Sequence, residues 1–300
     1  MVRPQRSNLA LDWIPSQLQV VRHDSPLGFW ESTSREPDPR LRGLVEGPYQ
    51  GWVERTAASM VRREVPSGII PIIIILGPDY GVIDPTGKTP PRYLGSFVAG
   101  LHESYALTQS GGFAICLQFN LNPLGAYQIL GVPMHTLANR VIELDDILGP
   151  TARSLTAQLQ DAPDWETRFG ILDAFIANRV ASAKSPSPGI RWAWRQLNET
   201  GGLIDIGALA TELNCSHKHL ITQFRRELGL PPKTMARIVR FSRVARLLKR
   251  NHVTNWIAIA HQCGYYDQAH LIRDFREFAG STPSEHVGRL LPDGGGVDAG

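Results

Sequence analysis

Two segments near the carboxyl end carry the side chains best suited to hydrogen-bond recognition: HKHLITQFRREL at 217–228 and QAHLIRDFREFA at 268–279. At helical spacing, Leu220 and Phe224 share one face of the first, and Leu271 and Phe275 share one face of the second. With those inward, His217, Lys218, Ile221, Thr222 and Arg225 point outward on the first segment. Gln268, Ala269, Ile272, Arg273 and Arg276 do so on the second. Cationic, amide, hydroxyl and methyl-bearing groups on a helix surface are what nucleic-acid phosphates and base edges bind. Catalytic patterns are missing: the sequence has no GxSxG elbow, HExxH pair or Gly-rich phosphate loop. His102-Glu103 is an acid/base or metal fragment, but a metal would need further ligands that the neighbouring sequence does not supply. His217 and His219 project apart on a helix, with no acid or thiol to join them. No catalytic residue, no metal and no cofactor is therefore expected.

The elements that must hold these segments recur as a pair. Ile190 to Asn198 is an amphipathic helix ending at Gly201-Gly202. Asp205 can cap a short helix, Ile206 to Leu213; Asn214-Cys215 turns the chain; Ser216 caps His217 to Leu228, and Gly229 closes that helix. A long basic helix, Lys233 to Arg250, follows. Met235, Ile238, Val239, Val244, Leu247 and Leu248 form its apolar stripe, and Arg237, Arg240, Arg243, Arg246, Lys249 and Arg250 lie largely off it. The plan then repeats: Thr254 or Asn255 caps Trp256 to Gln262, Cys263 to Tyr266 turns, and Asp267 caps Gln268 to Phe278, with a stop at Gly280 to Pro283. These are two helix-turn-helix units bridged by one helix.

That arrangement resembles the DNA-binding domain of the AraC/XylS family of bacterial transcription regulators. The resemblance covers residues 190–291, and is carried most fully by Ala260 to Phe275 together with Gly280-Ser-Thr-Pro283. It implies a sequence-specific regulator that binds double-stranded DNA. Matched to the family pattern, the base-facing positions are Lys218, Ile221, Thr222, Gln268, Ala269, Ile272 and Arg273. Arg273 suits bidentate contact with guanine, Gln268 suits adenine or a phosphate, and Ile221, Ala269 and Ile272 suit the thymine methyl. Ser216, His217, Arg225, Arg226 and Arg276 are expected at phosphates. One departure is that His286 stands near where the family usually has a Tyr after the final Pro, which bears on the end cap and not on the DNA face.

Composition agrees with a two-part chain. Its 300 residues carry a formal net charge of +3, yet residues 1–188 sum to −2 and residues 189–291 to +7. A basic module joined to a mildly acidic one fits a polyanion-binding domain attached to something else. The densest apolar run, Ile69 to Leu76, is far shorter than the ~18 residues of a membrane helix, so no membrane association is expected. Three scattered cysteines without a CxxC fit a cytoplasmic protein. The expected division is a sensory or dimerisation domain at 1–183, a Ser/Pro/Gly linker at 184–189, the DNA-binding domain at 190–291 and a disordered tail at 292–300.

The first half reads as an antiparallel sheet or small barrel. Residues favouring β structure occur at Tyr49 to Arg55, Arg62 to Leu76, Phe97 to Leu101, Tyr105 to Gln109 and Phe113 to Phe119, and Ser32 to Pro39 reads as a surface loop. Helical patterns follow at Leu124 to Leu130, Met134 to Asn139, Thr151 to Gln160 and Trp165 to Ala181. The fold class is thus α+β, a β-rich, cupin-like amino-terminal domain with following helices and an all-α carboxyl-terminal domain. Regulators of the resembled kind commonly use such a β-rich domain for a small-molecule effector, for homodimerisation, or both, and contact RNA polymerase when they activate. Arg62, Arg63, His102, Glu103, Tyr105, Gln118 and Asn120 are the polar groups expected around an effector pocket, and the helices at 151–181 are the expected dimer seam. Two alternatives remain: an amino-terminal domain that binds a partner protein, and an enzyme fused to a DNA-binding module.

Overall fold

The computed structural model describes residues 17–25, 28–78, 80–83, 92–250, 255–290 and 297–298. The amino-terminal half forms strands β1 (Gln19–Ser25), β2 (Gly28–Arg35), β3 (Tyr49–Thr56), β4 (Met60–Glu64), β5 (Ile70–Ile75), β6 (Tyr80–Ile83), β7 (Arg92–Leu94), β8 (Phe97–Ala99), β9 (Ala106–Ser110) and β10 (Phe113–Leu121). Helix α1 (Pro123–Leu130), β11 (Val141–Glu143), α2 (Leu144–Leu148), α3 (Pro150–Asp161) and α4 (Trp165–Ala181) complete it. Then come α5 (Pro188–Glu199), α6 (Ile206–Glu212), α7 (His217–Leu228), α8 (Pro232–Arg250), α9 (Trp256–Gln262), α10 (Gln268–Ala279), α11 (Pro283–Gly288) and β12 (Val297–Asp298). No helix among the described residues is long and apolar enough to cross a membrane.

The strands make two sheets, β1-β2-β3-β10-β5-β8-β11 and β12-β4-β9-β6-β7. In β5 the continuous run of Ile residues is buried on both faces. Ile70, Ile72 and Ile74 join Leu117, Phe119 and Leu121 of β10 against the helices, while Ile73 and Ile75 join Cys116, Tyr80 and Phe97 between the sheets. Near-unbroken apolar runs are what a doubly covered strand requires. Pro71 is tolerated because β8 pairs with β5 only at Ile72 and Ile73, leaving the proline outside that ladder.

Several expectations change. Ser32 to Pro39 is not a surface loop: β2 runs through Arg35, whose guanidinium bonds Asp173 and Glu166 of α4. Asp173 also accepts from Tyr49 Oη and the Asp38 amide, both at 2.9 Å. A buried cation needs such partners, and polarity along 32–39 masked them. At Gly51 the Trp165 ring lies so close to the backbone that a Cβ would approach Cζ3 within 2.3 Å. Met134 to Asn139 forms only one 3-10 turn, Met134–Thr136, with Asn139 at φ 57°. The expected linker at 184–189 is shifted, since Pro188 opens α5, as proline does well at a first helical position. The tail expected to be disordered contributes β12, where Val297 is buried and pairs with Arg63; the rest of 292–300 lies outside the described residues.

Candidate nucleic-acid interface

The four helices of the two helix-turn-helix units each start where the sequence supplies an acceptor. Asp205 Oδ1 receives the Ala208 amide at 2.7 Å, Ser216 Oγ that of His219 at 3.2 Å, Asn255 Oδ1 that of Ala258 at 3.0 Å, and Asp267 Oδ1 that of His270 at 2.7 Å. Such caps satisfy amides that no intrahelical carbonyl can reach. The two turns are equivalent: Asn214, at φ 48°, and Gly264, at φ 77°, hold the left-handed position. The second turn then has one residue more before its cap, Tyr266, which is 86% exposed.

Leu220 and Phe224 are buried beneath α7, and Leu271 and Phe275 beneath α10. Lys218, Ile221, Thr222, Ala269 and Arg273 are exposed, and Gln268 and Ile272 are half-buried. Thr222 Oγ1 donates to the Lys218 carbonyl at 2.9 Å and keeps its lone pairs outward. His217, Arg225 and Arg276 are exposed, and Lys218, Arg225, Arg273 and Arg276 enter no ion pair among the described residues. Ser216 Oγ is engaged as a cap acceptor. Arg226 stands apart: its Nη2 bonds Glu227 Oε1 at 2.7 Å. Glu227, 1% exposed, also receives the amide and hydroxyl of Ser187 at 2.8 and 3.0 Å, pinning the start of α5 to α7.

Helix α8 fastens the second unit with side chains that its sequence left as an outer basic face. Arg237 donates to Asp274 Oδ1 at 2.8 Å and to both Glu277 oxygens, and lies over the Phe278 ring at 4.9 Å. Those bonds hold the Glu277 carboxyl below its ordinary pKa. Arg240 donates to the Gly264 carbonyl at 3.3 Å and covers Tyr265. Phe241 meets Phe275 and Phe278 with ring centroids 5.0 and 5.1 Å apart. His286 is buried with its ring 5.2 Å from Phe275. His219 is exposed, and His270 packs edge-on against Tyr265.

The amino-terminal half reaches both α7 and α10. Helix α7 packs on α1 and on the turn at Met134, next to Gly229. At the end of α10, Arg63 Nη1 donates to the Ala279 carbonyl at 2.9 Å and stacks over Tyr105 at 4.5 Å.

Between the sheets lies a cavity of about 540 Å³. Of the seven expected pocket residues, Arg62, His102 and Gln118 line it. Arg63 and Tyr105 are at the α10 contact. Exposed Glu103 pairs with Asn139, and Asn120 accepts from Gln118 Nε2 at 2.8 Å beyond the cavity. Alternation along β4 explains the first split, because neighbours on a strand face opposite ways. Trp30, Trp52, Tyr80 and Phe97 also form the wall, a set that pairing of distant strands assembles and local sequence does not reveal.

Two capped helix-turn-helix units, each exposing on its second helix cations that enter no ion pair among the described residues, define a DNA-binding transcription regulator. Residues 209–289 match the helix-turn-helix domain family, and the chain has a β-rich amino-terminal region followed by a helical carboxyl-terminal domain. A structure of ToxT from Vibrio cholerae is similar to this chain at 11% identity, covering 80% of this chain and 97% of that one, with a TM-score of 0.47. An unsaturated fatty acid-bound wild-type ToxT from Vibrio cholerae is similar at 12% identity, covering 82% and 95%, with a TM-score of 0.45. Oxalate decarboxylase from Bacillus subtilis is similar at 8% identity, covering 37% of this chain and 30% of that one, with a TM-score of 0.24. No curated protein matches the chain.

Proposed function

We propose that α7 and α10 enter successive major grooves on one face of a duplex, so that one chain reads an asymmetric site. Lys218, Ile221, Thr222, Gln268, Ala269, Ile272 and Arg273 face bases; His217, Arg225 and Arg276 hold phosphates, with Ser216 able to donate its hydroxyl. The observation that carries the reading is the exposure of unpaired Lys218 and Arg273 on two helices held rigidly by one 19-residue helix, α8. At ~1.5 Å per residue α8 spans about 28 Å, comparable with the roughly 34 Å between successive grooves. Arg226, tied to Glu227, belongs to the seam with the amino-terminal half.

The cavity is the effector site in this reading, and the protein works in the cytoplasm, where three separated thiols stay reduced. Strand β4 supports the coupling, since Arg62 lines the cavity and Arg63 holds the end of α10. The outer side of α3 is polar, with Arg153, Ser154, Gln158 and Gln160 exposed, so a homodimer formed through 151–181 would use hydrogen bonds there. Contact with RNA polymerase accompanies activation. Selection of bound sequences from random duplex DNA tests the reading: recovery of one asymmetric site about two helical turns long supports it, and recovery of no consensus overturns it.

A further inference from the structure

The turn of the second helix-turn-helix unit holds a residue that the first turn lacks. In both, the chain leaves the first helix through a left-handed residue, Asn214 or Gly264. The next amide then returns to a helix carbonyl: Cys215 N–H donates to Ala210 at 3.0 Å, and Tyr265 N–H to Ala260 at 2.8 Å. Cys215 is followed directly by the cap, Ser216. Tyr265 is followed by Tyr266 and only then by the cap, Asp267. The added residue is a tyrosine.

The two tyrosines differ in what they touch. Tyr265 is buried, with the Arg240 guanidinium 5.4 Å from its ring centre and His270 packed against its edge. Tyr266 is 86% exposed, more than Val21 at 64% or Ile257 at 57%. Its hydroxyl makes no hydrogen bond among the described residues. Packing of this turn therefore falls to Tyr265, and a ring left in water contributes no burial to the fold. Tyrosine is used to advantage where its ring meets an apolar surface and its hydroxyl a polar partner.

The place of Tyr266 in the chain points to that partner. It directly precedes the cap of α10 and lies two residues before Gln268, at the helix end from which base edges are read. The Asp267 carboxylate beside it is engaged by the His270 amide. The duplex backbone bordering a groove offers charged oxygen acceptors next to apolar deoxyribose carbons, and tyrosine hydroxyls are among the donors that hold phosphates.

We propose that the Tyr266 hydroxyl donates to a phosphate at the edge of the groove entered by α10, with its ring along the adjoining deoxyribose, an uncharged anchor with no counterpart in the first turn. The inference rests on the reading that α10 enters a groove. The test is titration of the full chain, Tyr266→Phe and Tyr266→Lys on a duplex carrying the selected site and on one lacking it, across a salt series. A phenol is neutral and releases no counterion. Tyr266→Phe should thus weaken both duplexes about 3–10-fold and leave the slope of log affinity against log salt unchanged. Tyr266→Lys places a cation at the same phosphate and should steepen that slope by about 1. An affinity unchanged in Tyr266→Phe, or a slope unchanged in Tyr266→Lys, overturns the proposal. A Tm lowered by Tyr266→Phe would assign the hydroxyl to the fold and overturns it as well. A chain that selects no site loses the groove reading altogether. One that keeps its site, loses a base preference with Arg273→Ala and is indifferent to both Tyr266 variants loses this inference alone.

Discussion

Arg63 and Ala279 lie 216 residues apart in sequence and meet through one hydrogen bond, the guanidinium Nη1 donating at 2.9 Å to the last carbonyl of α10. A helix C-terminus leaves carbonyls without intrahelical partners, and a cation there also complements the helix dipole. The second recognition helix is therefore capped by a strand of the amino-terminal sheet.

Arg63→Ala should release that end. Loss of the bond and of the Tyr105 stacking should cost about 1–2 kcal/mol of local stability, a factor of about 5–30 in local opening. Hydrogen exchange at the amides of 276–282 should accelerate by that order while α7 is unchanged. Unchanged exchange at 276–282 would show that the contact does not hold α10.

Gly280 is constrained twice. It sits at φ 64°, and a Cβ there would come within 2.3 Å of Tyr105 Cε1. Gly280→Ala should destabilise the chain by about 1–3 kcal/mol, seen as a lowered Tm. Gly280→Ala combined with Tyr105→Ala should recover the steric part but not the backbone part.

These contacts show where sequence reading succeeds and where it stops. Caps, turns and the Leu220/Phe224 and Leu271/Phe275 cores follow from local pattern, so α6, α7, α9 and α10 were legible almost to their ends. Arg237, Arg240 and Arg63 were not, because a cation's partner several turns or a whole domain away leaves no periodic trace. The same limit hid Arg35, whose partners Glu166 and Asp173 lie on α4. Of the seven polar residues that the sequence suggested around a pocket, Arg62, His102 and Gln118 line the cavity, while the aromatic wall depends on strand order that no local motif encodes.

Acid should act through Glu277. Its carboxyl pKa is lowered from 4.5, first by the hydrogen bonds from Arg237. A depressed folded-state value means the contribution is present above about pH 4.5 and is lost as pH falls through the lower folded value. Arg237→Met should lower stability at neutral pH and flatten the dependence of Tm on pH below about 4.5. A parallel acid profile for the two proteins would remove Glu277 from the account.

Arg273 and Arg276 should separate base reading from phosphate anchoring. Arg273→Ala should cost about 1–3 kcal/mol at one base pair and relax the preference there. Arg276→Ala should weaken all sequences alike and reduce the slope of log affinity against log salt by about 1. Competition titrations with single-base variants of the selected site distinguish the two.

The most direct measurement is hydroxyl-radical footprinting of the full chain on its selected site, with and without Arg273→Ala. Two protected segments on one face, about one helical turn apart, with only the segment under α10 weakened by the substitution, are what the structure predicts. A single protected segment, or protection that spreads uniformly and vanishes with modest salt, would contradict a two-helix reading of DNA.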